Sequence, residues 1–290
     1  MCASTHKLIN SYVPFGTLAN IAFVMCFGAQ TRHGSSVTYD LFNVQVVWSE
    51  RMSALKSNSN GGPVVNRLLA ALPKSEYQRL LPKLKSVNLV LGEELYESGD
   101  VIKYVYFPND SIISLISEVS ETSWLEVGMV GNEGIAGLGV FMGVDSSSTR
   151  ALVQGSGTAM RMGSAGLRRE ANRLGGLHRL LHRYSHSLLT QVAQSSVCNR
   201  FHLVDARLAR WLLMTNDRLG VEEFPLTQEF LAHMLGVRRE GVSKAAGALQ
   251  FAKLIHYSRG MITILNHRGL KAKSCECYAI IKAETDAYLN

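Results

Sequence analysis

The sequence predicts an α+β chain: an N-terminal antiparallel β-barrel or jelly roll, then a long helix, then a C-terminal winged helix-turn-helix. Three observations predict it. Short apolar segments punctuated by turn residues fill Val87–Met162, and a leucine-rich stretch of helical period follows them. Leu226–Leu249 (LTQEFLAHMLGVRREGVSKAAGAL) then reads as two short helices hinged at a glycine.

The 290 residues suffice for two domains of ordinary size. With 47% hydrophobic and 18% charged residues, neither disorder nor a fibre is implied. The net charge of +7 favours a polyanionic partner without specifying one. Cys2, Cys26, Cys198, Cys275 and Cys277 are odd in number and scattered. They argue against a disulfide framework and for a reducing, cytoplasmic compartment. No apolar run of about 18 residues suggests a membrane span. Leu18–Ala29 has the hydrophobicity of a signal-peptide core, but Phe27 spoils a cleavage after Ala29, and the signal is discounted.

Residues 1–62 alternate apolar pieces with Gly/Ser/Asn stretches and keep no period. Met52 precedes a polar leader and then organised sequence, so it is the expected biological start, with a genuine, weakly ordered extension as the alternative. From Val64 to Leu84 leucines recur near helical spacing, broken by Pro73 and Pro82. Next come strand-like segments such as VNLVL, YVYFP, SIISLI, SWLEVGMV, RALVQ and TAMRM, with Gly-Glu, Ser-Gly-Asp, Pro-Asn-Asp and Gly-Asn-Glu-Gly turns between them. Regular spacing of this kind predicts a small barrel or jelly roll. A metalloenzyme of the cupin kind would need histidines inside it, and none occurs between His33 and His178.

Ser164–Phe201 reads as one long helix. Leu174, Leu177, Leu181, Tyr184 and Leu188 recur three and four apart, the seam of a coiled coil, which turns polar at Gln191 and Ser195. Pairing into a homodimer is the preferred reading, and packing on the chain's own barrel is the alternative. His178, His182 and His186 lie at i, i+4 and i+8 but read as solvated beside Arg179 and Arg183, so no metal site is expected. Asp205–Leu219 is a further amphipathic helix, followed by a turn at Gly220–Pro225.

Thr227 is a good N-cap for the first helix of the opening stretch, with Glu229 and Phe230 behind it; Thr227 and Gln228 are themselves candidate DNA contacts, and Gly236 supplies the positive φ of a sharp turn. In the second helix Val242, Ala245, Ala246 and Leu249 form one apolar stripe. The other face presents Arg238, Arg239, Glu240, Ser243 and Lys244. Arginine can bridge the two acceptors of guanine, glutamate can accept from cytosine, and lysine can meet phosphate. An αα-corner with a solvated charged face is the alternative. LIHYS and MITIL around Ser258-Arg259-Gly260 signal a hairpin, which would place Arg259 at a wing tip near the sugar-phosphate backbone.

Barrel, long helix and winged helix in this order resemble the cyclic-AMP receptor protein / fumarate-nitrate regulator (Crp/Fnr) family of bacterial transcription regulators, over about Pro63–Leu265. The resemblance rests on LTQEFLAHMLGVRREGVSKAAGAL, on VDARLARWLL at Val204–Leu213 and on ESGD at Glu97–Asp100. It implies a cyclic-nucleotide-binding-like sensor domain at 63–163, a dimerisation helix at 164–201 and a DNA-binding domain at 202–290. The recognition helix would be Arg238–Gln250, with Arg239 and Glu240 matching the family's base-reading pair and Lys244 standing where the family favours arginine. Double-stranded DNA with a palindromic operator, a second copy of the chain and RNA polymerase are the implied partners; no membrane and no catalysis are. The effector region would lie around Gly131, Glu133, Gly137, Leu138, Thr149 and Arg150. Ala136-Gly137-Leu138 stands where a ribose-binding glutamate is expected, and Arg150 follows Thr149 instead of preceding a hydroxyl residue. These departures argue against cyclic AMP. No clustered N-terminal cysteines suggest an iron-sulfur centre, no haem ligand stands out, and Cys275-Glu276-Cys277 offers two thiolates, an incomplete metal site read as structural. A ligand-sensing barrel whose winged helix serves protein interaction is the alternative function.

Overall fold

The computed structural model describes residues 66–120 and 123–289. The expectations for residues 1–62, the Met52 start and the Leu18–Ala29 segment fall outside the described residues. The described residues open with two short helices, α1 (Arg67–Ala70) and α2 (Lys74–Leu80). Asn66 caps α1 by accepting from the Leu69 N–H, and its buried amide donates to the carbonyls of Pro108 and Gly134. That amide fixes the helix to the sheets that follow. Pro73 separates the two helices, as its missing N–H requires.

Seven strands form two antiparallel sheets. One has the order β1 (Lys85–Leu89), β7 (Gly157–Gly163), β3 (Tyr104–Pro108). The other has the order β2 (Glu94–Tyr96), β6 (Arg150–Gly155), β4 (Ile112–Ser120), β5 (Ser123–Val130). The sheets stay open, so the arrangement is jelly-roll-like and not a closed barrel. Val105, Phe107, Ile113, Val130, Val153 and Met162 fill the space between them. β4 and β5 are buried on both faces: Ile112, Ile116, Trp124 and Met129 turn outward into a second core. Two-sided burial is why the SIISLI segment is a continuous apolar run with no alternation.

The predicted single helix over Ser164–Phe201 is two: α3 (Ser164–Ala171) and α4 (Gly176–Phe201). Leu174 has φ +55° and lies outside both, and Gly175-Gly176 resets the direction of the chain. Glu76 accepts from the N–H groups of Gly176 and Leu177, placing a carboxylate at the positive end of α4. Burial opposes ionisation there, but the two donors together with Arg79 and Arg179 outweigh it and hold the Glu76 carboxyl below its ordinary range.

The expected dimer seam is corrected. Leu177, Leu181 and Tyr184 are buried in the protomer's own core, and Leu188 packs against that core beside Gly128. The polar break at Gln191 also has a local reason. β5 is an edge strand, and the Gln191 amide pairs with both the N–H and the carbonyl of Met129, covering that edge. The exposed apolar residues of α4 are instead Leu189, Val197 and Phe201.

α5 (Val204–Leu219) runs through the second core, with Leu208, Trp211 and Leu212 against Ile112 and Met129. It is followed by β8 (Glu223–Pro225), α6 (Gln228–Leu235), α7 (Arg239–Phe251), β9 (Ile255–Ser258), β10 (Met261–Ile264), α8 (His267–Lys273) and α9 (Cys277–Leu289). β8, β10 and β9 form a small sheet in that order, so part of the expected Gly220–Pro225 turn is a strand. α9 folds back along α4: Arg183 donates to the Ala287 carbonyl, His186 meets Glu284, and the rings of Tyr184 and Tyr288 lie 5.7 Å apart. Among the described residues no helix is long and apolar enough to cross a membrane.

Candidate DNA interface and sensor region

Local chemistry sets the angle between α6 and α7. Thr227 caps α6 by accepting from the Phe230 N–H at 3.1 Å, and Gly236 ends it at φ +59°. The positive φ is what calls for glycine here, and a Cβ would in addition press to 2.8 Å on the Leu125 methyl of β5. His233 stacks on Trp124 with ring centres 4.3 Å apart. The turn of the helix pair is thereby seated on the β4–β5 hairpin.

Val242, Ala245, Ala246 and Leu249 are the buried side of α7. Arg238, Arg239, Glu240, Ser243 and Lys244 are all exposed on the other side. Ser243 Oγ donates to Gln228 Oε1 at 2.6 Å, which joins the start of α6 to the middle of α7. Gln250 does not share this face: its Oε1 accepts from the Tyr257 N–H on β9 at 2.6 Å and ties the wing to the helix. At the wing tip Arg259 and Gly260 have φ of +49° and +75°, the two left-handed residues of a tight hairpin turn. Arg259 is exposed there. Arg238, Arg239, Lys244 and Arg259 enter no ion pair among the described residues. Exposed cations without protein counterions are free to neutralise phosphate.

The sensor candidates make contacts within the chain's own fold. Glu133 Oε1 accepts from Arg218 on α5, with Nε at 2.9 Å and Nη2 at 2.7 Å, and also from the Gly131 N–H. Both charged side chains are at least nine-tenths buried. A Cβ at Gly131 would lie 2.5 Å from Arg218 Cγ, so that glycine makes room for the arginine. Gly137, at φ +90°, sits 2.9 Å from a Val105 methyl by the same measure, and Leu138 is a core residue. The Thr149 carbonyl accepts from Ser147. Arg150 pairs with Glu94 and Glu118 and lies over the Trp124 ring. The two charged members of the expected effector set are therefore each engaged by protein groups.

Two features were not legible in the sequence. The Glu133–Arg218 pair spans 85 residues and carries no motif. The Cys275–Cys277 pair, read as an incomplete metal site, is completed by Cys198 and His202: the four donor atoms lie within 4.8 Å of one another. Only the cysteine spacing hinted at it.

Residues 206–273 match the Crp-like helix-turn-helix domain. Among solved structures, FixK2 from Bradyrhizobium japonicum superposes with a TM-score of 0.57 at 17% identity, over 66% of this chain and 98% of that one. A putative Crp/Fnr regulator from Eubacterium rectale gives 0.55 at 16% identity, over 71% and 96%. The c-di-GMP responsive global regulator CLP from Xanthomonas campestris gives 0.54 at 16%, over 66% and 99%. No curated protein matches the sequence. At these identities the superpositions establish the fold, and the domain match establishes the helix-turn-helix. With a Crp-like helix-turn-helix at residues 206–273 on a fold shared with solved Crp/Fnr regulators, the chain is a DNA-binding transcription regulator.

Proposed function

We propose that this regulator binds a palindromic operator as a homodimer, with the N-terminal half of α7 in the major groove. The observation that carries this reading is the row of exposed cations Arg238, Arg239 and Lys244 along one side of α7, continued by Arg259 on the wing. Glu240 and Ser243 lie among them and supply an acceptor and a hydroxyl for base edges. Two copies would read half-sites about one DNA turn, ~34 Å, apart. The cores of protein interfaces are depleted in charged residues such as lysine and glutamate, and this face carries Glu240 and Lys244 beside two arginines, which disfavours the protein-interaction alternative. In this reading residues 63–163 are the sensor region, 164–201 contain the dimer helix, and 202–290 hold DNA and act on RNA polymerase.

Selection from a random DNA pool tests the proposal by returning a two-fold symmetric site. Arg239→Ala should weaken binding to that site by about 1–3 kcal/mol and relax base choice at one position per half-site. Uniform weakening on all sequences would reassign Arg239 to phosphate.

The dimer contact moves to the outer face of α4. Leu189, Ala193 and Val197 are exposed and recur every four residues, and Phe201 extends the row. Leu189→Glu should give monomers in analytical ultracentrifugation and at least tenfold weaker operator binding. An unchanged sedimentation coefficient would remove α4 from the interface. The engagement of Glu133 by Arg218 and of Arg150 by Glu94 and Glu118 speaks against a cyclic phosphate held by these groups.

A further inference from the structure

Four potential metal ligands from two distant stretches meet where α4 ends. Cys198 lies on its last turn and His202 is its C-cap, so one helical turn separates them. Cys275 and Cys277 bracket Glu276 at the start of α9. Cys198 Sγ is 3.5 Å from Cys275 Sγ, and Cys277 Sγ is 3.4 Å from His202 Nδ1. All three cysteines are buried free thiols. A sulfur–sulfur separation of 3.5 Å is far from the bonded ~2.05 Å of a disulfide. It is close to an edge of a tetrahedron around zinc, where Zn–S of about 2.3 Å and Zn–N of about 2.0 Å set donors roughly 3.5–3.8 Å apart.

We propose that Cys198, His202, Cys275 and Cys277 bind one zinc-type divalent cation in a tetrahedral Cys3His site that clasps α9 to the end of α4. The donor set excludes calcium and magnesium, which take oxygen ligands. Convergence of all four donors on one point suits a single ion better than a polynuclear cluster, whose thiolates are spread over several metal atoms.

Two independent features of the surroundings fit a bound metal. The first is the outer hydrogen bonding. His202 Nε2 faces Glu276 Oε1 at 3.2 Å, which turns Nδ1 toward the thiols in the carboxylate–histidine–metal arrangement. Gln194 Nε2 donates to Cys277 Sγ at 3.2 Å, as an amide does to a thiolate. The second is charge. Three thiolates around a divalent ion leave a net charge of −1. Arg207 and Arg210 of α5 are both buried and lie close enough to act electrostatically on Cys198. Their hydrogen-bond partners are neutral, Asn199 and the Leu235 carbonyl for Arg207 and the Met214 sulfur for Arg210, and the Nε of each has none. Arg207, buried with neutral hydrogen-bond partners, calls for a nearby anion, and a Cys3His zinc centre is one; Arg210 lies between this site and the Glu126 carboxyl.

The site has a mechanical role whatever DNA the protein reads. It anchors the segment that follows the wing to the junction between α4 and α5. Metal binding would therefore fix the C-terminal tail against the helix that joins the two halves of the chain.

Metal analysis of the full-length protein, purified under reducing conditions without chelator, should find one zinc per chain. After chelator treatment, Co2+ should restore a thiolate-to-cobalt charge-transfer band and tetrahedral ligand-field bands, and one equivalent of Zn2+ should abolish them. Cys277→Ser should cut the charge-transfer intensity by about a third, from three thiolates to two. Glu276→Gln alters an exposed residue that is not itself a ligand but faces the ligand His202, and should weaken Co2+ binding by about tenfold or more. Substoichiometric zinc together with an octahedral cobalt spectrum in the wild type would overturn the site. So would a Cys198–Cys275 disulfide in the reduced preparation, or a Cys277→Ser spectrum equal to that of the wild type.

Discussion

Arg218→Met is expected to destabilise the protein by about 3–5 kcal/mol, the cost of leaving a buried carboxylate without its partner. Glu133 has two contacts with that guanidinium, at 2.7 and 2.9 Å, and one with the Gly131 N–H. Without Arg218 the carboxylate keeps a single neutral donor in a site that water does not reach. The loss should appear as a lower urea midpoint. It should be largely recovered in Glu133→Gln/Arg218→Met, where neither charge remains. Because Arg218 belongs to α5 and Glu133 to the loop after β5, the single variant should also loosen the helix-turn-helix from the sheets. Proteolysis at Gly220–Glu223 would report that loosening. A cost below about 1 kcal/mol, or no recovery in the double variant, would show that the pair is not the isolated, desolvated contact its geometry describes.

Stability should also fall as pH rises from 5 to 8, and Glu126 should be the cause. Its carboxyl is enclosed between Ser114 Oγ at 2.7 Å and Trp211 Nε1 at 2.9 Å. Burial pushes its pKa from the ordinary 4.5 up to about 7, and the two hydrogen bonds and nearby arginines offset only part of that rise. The hydrogen bonding agrees. Ser114 Oγ is placed to donate to both Glu126 Oε2 and Gln154 Oε1 but has one proton, so an ionised Glu126 competes with Gln154 for this donor. Between pH 4.5 and 7 the folded chain holds a proton that the unfolded chain releases, so stability decreases with rising pH through that window. Above it the full penalty stands, about 3 kcal/mol at the outside. Glu126→Gln should remove this part of the slope in thermal melts and be more stable than the wild type at pH 8. Parallel curves for the two proteins would sink the assignment.

The sequence carried the order of elements well because each left a local signature. The cap at Thr227, the left-handed Gly236 and the stripe Val242, Ala245, Ala246, Leu249 are all properties of neighbouring residues. The same locality explains the failures. Leu177, Leu181 and Tyr184 have the spacing of a coiled-coil seam, but spacing says only that a face is apolar, not whether a second copy or the chain's own sheets cover it. The division of the long helix was written in Gly175-Gly176 and was outweighed by the leucines on either side. Arg150 looked like a candidate phosphate ligand until Glu94 and Glu118, 56 and 32 residues away, were found beside it. Long-range pairing of charges and thiols leaves no period and no motif. That is why Glu133–Arg218 and the Cys198–His202–Cys275–Cys277 cluster required coordinates.

The two-sided β4–β5 hairpin bears on how freely such a chain can be cut and recombined. Ile113 and Val130 serve one core, while Ile112, Ile116 and Met129 serve the other. A fragment starting near Val204 would keep the helix-turn-helix but bare the sides of Leu208, Trp211 and Leu212 that the hairpin covers. An apolar face of that kind invites aggregation. Exchange of sensor halves among related proteins would meet the same barrier unless the hairpin travelled with the helices it covers. The two halves are thus inherited and engineered most safely as one piece, with the seam for any graft placed before β4.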